Sequence, residues 1–459
     1  MLFEEIRLIQ MVKNKSKIIF FLSAKRTHIL QAILYGFLMV RNLRKIILVP
    51  LSSTIQGRGA EKVYSEFSIK LKEVYDLRLP ILTSSNDIHK FREELSKAAV
   101  LLALVCTGGV KSLIIELAKF KRPLIILSHK LQNSLASALH AATILRQRNY
   151  PVIIYHDVLR NEESIKELSM LVKALRELNR WRGEKIILFG IDEEWLKGEG
   201  YDIEKLREIF GLDVMTIDLE SFLVSVKSVS TNDEIFEYFV NEEKINVADR
   251  DIKEATKIYS AVYDFMTKYN CKALGIRCFP IILRASITPC LAVSFLLDQG
   301  TPTACEADLG ALVTMIFLKS ATGKIPFMGN LNDLTTEDNE IVLAHCTIAT
   351  KITRKIILKK HFETELSVSI EGHLRENTNV TIARFSNDFN TLLVGGGKIV
   401  RGEPWSNEFC RTQIRIKLDG NVKKLIIEPI GSHLVMVEGD YRELLVKLAT
   451  LIGIKPIKI

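Results

Sequence analysis

Residues 123–157 read "PLIILSHKLQNSLASALHAATILRQRNYPVIIYHD". Two short apolar runs rich in branched side chains, "PLIILSH" and "PVIIYHD", flank the helix-patterned stretch Asn133–Arg148. A continuous apolar run suits a strand buried on both faces, as in a parallel sheet. Strand, helix, strand is the repeating unit of such a sheet. The same kind of run occurs earlier, in "KIIFFL" (Lys17–Leu22), "KIILVP" (Lys45–Pro50) and "AVLLALV" (Ala99–Val105). Residues 1–180 therefore read as a doubly wound α/β domain.

The pattern restarts after "NRWRGE". "KIILFG" (Lys185–Gly190) and "LDVMTIDL" (Leu212–Leu219) come first, followed by the polar helical stretch Thr231–Asn270. "ALGIRCFP" (Ala273–Pro280), "TPTACEA" (Thr301–Ala307), "KIPFMGNL" (Lys324–Leu331) and "NEIVLAHCTIA" (Asn339–Ala349) complete a second α/β domain, residues 181–348. The grammar then changes. Strand patterns at Val380–Ser386, Asn390–Val400, Cys410–Leu418 and His433–Gly439 are separated by turn residues, with no helices between them. Such a run predicts an antiparallel, barrel-like unit over residues 349–459. One amphipathic helix, Asp440–Gly453, closes the chain.

Bulk properties set the class. A chain of 459 residues exceeds one ordinary core, so two or three domains are expected. With 47% hydrophobic and 25% charged residues, the composition is that of a globular protein. No charge-free apolar run approaches the roughly 18–20 residues of a membrane span. The start "MLFEEIRLIQ" carries acids where a signal peptide has basic residues, so a cytoplasmic location is expected. Residues 1–10 read as an extension ahead of Met11. Seven scattered cysteines without a CxxC pair argue against a disulfide framework or zinc ribbon, and predict free, mostly buried thiols. The net charge of +9 is spread among acids. The densest basic run, "KITRKIILKKH" (Lys351–His361), lacks aromatics for base stacking. It reads as a solvated basic face, and no nucleic-acid partner is expected.

Glycine-rich stretches carry little. "CTGGV" (Cys106–Val110) follows a strand and precedes a helix, without a Walker lysine–hydroxyl pair, and reads as a tight turn. "VGGGK" (Val394–Lys398) reads as a hairpin turn or bulge. No GxSxG is present, and adjacent strand residues His345 and Cys346 point to opposite faces, against a catalytic pair. The informative stretch is "TACEADLGALVTMIFL" (Thr303–Leu318). It places Glu306 and Asp308 between the end of a strand and an apolar helix. Burying ionised carboxylates is costly without partners. A cation or sugar hydroxyls could satisfy them; alternatively, Asp308 caps the helix and Glu306 pairs with a base such as Arg277. His433, in "PIGSHLVMVEGD", opens a strand and is a further candidate ligand.

These residues carry a resemblance. "GIRCFP", "GTPTACEADLGALVTMIFLKSATGKIPFMGN", "LAHC", "CRTQ" and "GSHLVMVEGDYRELLVKLATLIGI" together resemble the L-fucose isomerase-like family, related to L-fucose and L-arabinose isomerases. The resemblance implies two α/β domains followed by a β-rich one. It also implies aldose–ketose isomerisation, a proton moving between C1 and C2 of an open-chain sugar with Mn²⁺ or a similar divalent cation. It further implies a homo-oligomer whose site lies between the middle and last domains. Its ligand positions are a carboxylate after "RCxP", a second in the "CEAD" turn, and the histidine of the "GxH" strand. Asp308 or Glu306 fits the second and His433 the third. Glu306 and Asp308 are the implied catalytic carboxylates, and Arg277 and His345 the implied sugar contacts. At the first position Ile281 stands where glutamate is typical. A hydrocarbon neither binds a metal nor moves a proton, so impaired turnover is expected. The alternative is a non-catalytic sugar-binding or regulatory paralogue.

Overall fold

A computed structural model describes residues 45–54 and 59–459. The run "KIIFFL" and the extension 1–10 lie outside the described residues. The first sheet contains β1 (Ile46–Leu51), β2 (Leu77–Arg78), β3 (Val100–Val105), β4 (Leu124–Ser128) and β5 (Val152–His156). All its pairings are parallel, in the order β2-β1-β3-β4-β5. Alternation is visible in what each residue touches. Ile46, Leu48, Val100 and Leu102 join one core cluster, while Ile47, Val49, Leu101 and Ala103 join another on the opposite face. Burial on both faces is why these strands read as unbroken apolar runs. The helix Ser134–Gln147 lies between β4 and β5 as the pattern predicts. "CTGGV" is a strand-to-helix turn with Gly109 at φ +78°.

The second sheet is also parallel. It holds β6 (Lys185–Phe189), β7 (Asp213–Ile217), β9 (Cys271–Ile276) and β10 (Thr303–Cys305), in the order β10-β9-β6-β7. The short strand β8 (Glu243–Ile245) interrupts the stretch read as helical and joins neither parallel sheet.

The third sheet holds β11 (Phe327–Thr335), β12 (Glu340–His345), β15 (Asn379–Phe385), β16 (Thr391–Arg401), β17 (Thr412–Leu418), β18 (His433–Glu438) and β19 (Lys455–Lys458). Antiparallel pairings run β15-β18-β11-β12-β17-β16, and a β15–β16 pairing closes the ring into a barrel. The fold class read from sequence is thus the observed one. Four strands differ from the sequence reading. β11 and β12, placed by their apolar pattern with the middle α/β segment, belong to the barrel. The "VGGGK" stretch is mid-strand in β16, not a turn. A Cβ on Gly397 would come within 2.1 Å of the Lys417 carbonyl oxygen, so close strand approach excludes a side chain there. Finally, β19 follows the closing helix, observed at Arg442–Leu451, and pairs parallel to β16.

The basic run 351–361 contains β13 (Lys355–Lys359), with Ile356, Ile357 and Leu358 buried. It pairs with β14 (Ser369–His373) and with β8. Its lysines meet acids: Lys355 lies 2.7 Å from Glu243, and Lys360 lies 2.6 Å from Asp251. The run is therefore a half-buried strand with neutralised charge rather than a uniformly solvated face. Among the described residues, no helix is long and apolar enough to cross a membrane.

Candidate metal centre

The site begins where β10 ends. Glu306 (φ +57°) and Ala307 (φ +52°) are consecutive left-handed residues without glycine. Each such residue costs on the order of 1–3 kcal/mol and persists where its surroundings demand it. The Ala307 N–H donates to the Ile276 carbonyl at 3.1 Å, and Asp308 N–H to Cys305 O at 3.2 Å. This bend separates the two acids. Asp308 becomes the N-cap of the helix Leu309–Thr322, whereas Glu306 turns to the barrel. That helix is buried nearly all round, against β9, β10, β15, β18 and the helix Glu162–Arg180. Its enclosure explains a sequence without a polar face.

The histidines come from the barrel. His345 ends β12 and His433 opens β18, on either side of β11. The register sets Asn330 opposite both His433 and Ala344. A bulge in β11 leaves Asn332 unpaired in the β11–β12 ladder. Bulges of this kind re-aim a side chain beside a site.

Glu306 Oε1 lies 3.6 Å from His345 Nε2 and 3.5 Å from His433 Nε2. One ligand atom from each of the three residues falls within 4.8 Å of the others. Both imidazoles are buried, 4% and 3% exposed. Neither His345 ring nitrogen has a hydrogen-bond partner, nor does His433 Nε2. Leaving a buried polar atom unsatisfied costs about 1–3 kcal/mol. Orphaned nitrogens converging on one carboxylate fit a cation, since an ion satisfies all three residues at once. Burial opposes ionisation of Glu306, but His345 and His433 outweigh it and hold the carboxyl well below its usual range.

Asp308 stands behind this centre. Its Oδ1 accepts from Ala311 N–H at 2.8 Å, Arg384 Nη1 at 2.7 Å and the Tyr201 hydroxyl at 3.2 Å. Its Oδ2 lies 2.8 Å from His433 Nδ1. Burial again opposes ionisation, and Arg384 and His433 again overcome it, so the carboxyl is depressed. A carboxylate on the far nitrogen fixes an imidazole's tautomer and aims the other nitrogen. For His433, burial favours the neutral ring, but Asp308 and Glu306 push its pKa up to about 9. Room for Arg384 comes from Gly310, where a Cβ would sit 2.7 Å from Nη2.

The expected site residues therefore divide. Glu306, His345 and His433 come together, with His345 beside the carboxylate. Asp308 has its oxygens engaged and acts on His433. Arg277 lies over the Trp195 ring at 5.2 Å and is not among the residues lining the Glu306 cavity. Ile281, on the helix Cys278–Ala285, is fully buried in the apolar core.

The centre opens on a cavity of about 410 Å³ whose lining includes Glu306, His345, Asn330, Asn332, His361 and Glu363. Five cysteines, Cys278, Cys290, Cys305, Cys346 and Cys410, also face it. All seven cysteines are free. His345 and Cys346 both reach the cavity, but Cys346 is hydrogen-bonded to Cys410 and His361. The sequence reading missed His361 and Glu363. They sit in a turn after β13, inside and just beyond the run read as a basic face, and no motif marks them.

No protein-family model matches the chain. Over 287 residues it is 25% identical to a sulfoquinovose isomerase of Alkalicoccus urumqiensis, an alignment covering 58% of this chain. That alignment spans 64% of the Alkalicoccus protein, just under two thirds of its length. Over 409 residues the chain is 23% identical to sulfoquinovose isomerases of Priestia aryabhattai and Priestia megaterium, covering 82% of this chain and 89% of each relative.

Proposed function

We propose that this protein is a metal-dependent aldose–ketose isomerase acting on an open-chain sugar. The observation that carries the reading is the convergence of Glu306 and His345, which line the cavity, with His433 behind them, on unpartnered imidazole nitrogens. The relatives named as sulfoquinovose isomerases and the resemblance to L-fucose and L-arabinose isomerases support it. Two imidazoles and one carboxylate favour Mn²⁺ or a similar transition ion over Ca²⁺, which prefers all-oxygen sites. Such an ion, when bound, supplies Lewis-acid polarisation of the sugar carbonyl and charge to balance the anion left by proton loss.

The chain's own residues supply the rest. Asp308 holds the His433 ring with Nε2 toward the centre. Asn330 and Asn332 offer donors and acceptors for sugar hydroxyls. Cys278, Cys305 and Phe279 line the cavity with weakly polar or apolar surface that limits water. A cavity of about 410 Å³ is in the range of small-molecule sites. The work is done in a homo-oligomer, as the resemblance implies.

The burial of Ile281 favours a second reading, a sugar-binding paralogue without turnover, because it offers no fourth ligand. One experiment separates the two. Purified protein is assayed for bound metal and for conversion of sulfoquinovose, L-fucose and L-arabinose, with and without Mn²⁺. Turnover that depends on about one Mn²⁺ per chain is expected. Sugar binding without turnover in saturating Mn²⁺ would favour the paralogue.

A further inference from the structure

We propose that Glu363 is the base that carries the proton between C2 and C1; this rests on the isomerase reading. Isomerisation needs a group that takes a proton from carbon and returns it. The acids expected from sequence are committed elsewhere. Asp308 has its oxygens engaged on the far side of His433. Glu306 faces two imidazoles and is a weak base. Ile281 has no acidic group. Among the described residues lining the cavity, the other carboxylate is Glu363.

Its setting suits the role. Glu363 makes no hydrogen bond or ion pair among the described residues, so its oxygens are available to a substrate. The turn that displays it is well anchored. His361 is 4% exposed, packs edge-on against Phe279 at 5.8 Å and meets Thr364 Oγ1 at 3.2 Å. His361 N–H donates to Leu366 O at 3.1 Å, and Glu365 N–H to His361 O at 2.9 Å. Arg411 Nε donates to Lys360 O at 2.8 Å. Phe279 belongs to the same helix as Ile281, so the turn packs on the element from which relatives are expected to present their glutamate. Partial burial, with Cys346 and Glu306 adding negative charge, raises the Glu363 pKa against the opposing pull of His361 and His345. A carboxylate so raised is a stronger base toward the C2 proton than Glu306, and its pKa is brought nearer the working pH.

The step balances without an outside oxidant. The Glu363 carboxylate takes the C2 proton. The C2–H electron pair forms the C1–C2 double bond as the carbonyl pair moves onto O1. Glu363 then protonates C1, the C2 carbonyl forms, and the O2 proton passes to O1. C1 is reduced and C2 oxidised within one molecule.

The test uses the full chain with Mn²⁺ in D₂O, following deuterium at C1 and C2 of sulfoquinovose, L-fucose and L-arabinose by NMR. Glu363→Gln should lower kcat and C2 exchange by about 10²–10⁴-fold, with KM changed less than about threefold. Mn²⁺ affinity by calorimetry and the melting temperature should stay at parent values. Glu363→Asp should recover part of the exchange and shift the acidic limb of the pH–rate profile. Glu306→Gln should instead lose Mn²⁺. Exchange in Glu363→Gln at the parent rate would overturn the assignment and leave the isomerase reading intact, as would loss of Mn²⁺ in that variant. A parent that exchanges no C2 hydrogen in any of the three sugars would overturn both.

Discussion

Asp308 accepts from four partners, and changing it tests all of them together. Asp308→Asn leaves the buried Arg384 without its carboxylate and His433 without its aim. Breaking a buried pair typically costs about 3–5 kcal/mol, and losing a group that orients a ligand costs about 10–100-fold in metal affinity. Melts and Mn²⁺ calorimetry on the variant should show both losses. Glu306→Gln should differ, with Mn²⁺ binding lost but a smaller loss of stability, because the buried Asp308–Arg384 pair is kept. The cluster also sets a pH dependence. His433 titrates near 9 when folded and near 6.5 when free, because Asp308 and Glu306 outweigh its burial. A raised folded pKa gives stability that is full below pH 6.5 and lost as pH climbs through 9. The loss is on the order of 3 kcal/mol. The depressed carboxyls Glu306 and Asp308 act oppositely, contributing above about pH 4 and fading below it. In EDTA the melting temperature should fall from pH 6.5 to 9. Mn²⁺ should reverse that fall, because the ion displaces the bridging proton.

The helix Cys278–Ala285 tests whether the missing glutamate can be restored. Ile281 is fully buried among apolar side chains, so Ile281→Glu places a carboxyl in the core. Such burial raises the carboxyl's pKa and should cost on the order of 1–3 kcal/mol. Thermal melts with and without Mn²⁺ decide the matter. Destabilisation that Mn²⁺ does not rescue is expected, since Ile281 does not line the cavity. Rescue, with tighter Mn²⁺ binding, would mean that the helix can turn this position to the centre. Strand β16 offers a second test. Gly397→Ala would drive a methyl group to 2.1 Å from a carbonyl of β17. It should destabilise the barrel by about 1–3 kcal/mol, seen as a lower urea midpoint.

Residues 45–459 form one compact unit, and the centre sits where a parallel sheet meets the barrel. Leu283, Val224 and Ile427 remain 69%, 66% and 74% exposed. Light scattering at micromolar concentration should give a mass above that of one chain, as the proposed oligomer requires; a single-chain mass would count against it.

The sequence by itself determined the kinds of element and most of their positions. Strands of a parallel sheet bury both faces, so β1, β3, β4 and β6 announce themselves as apolar runs. The turn before the helix Leu309–Thr322 was legible in "CEAD", and the resemblance pointed to His433. Only the tertiary structure decided the rest. An apolar run reports burial but not its pairing partner, so β11 and β12 could be assigned to the barrel only through their hydrogen bonds to β18 and β17. Glu306 and Asp308 look interchangeable in sequence. Two left-handed residues send one to the cavity and leave the other as a cap for its helix and a brace for His433, 125 positions away. His345 was expected at the sugar but not beside Glu306, and Glu363 carries no motif; both reach the site by chain folding, because the spacing that brings them there is measured in ångströms rather than residues.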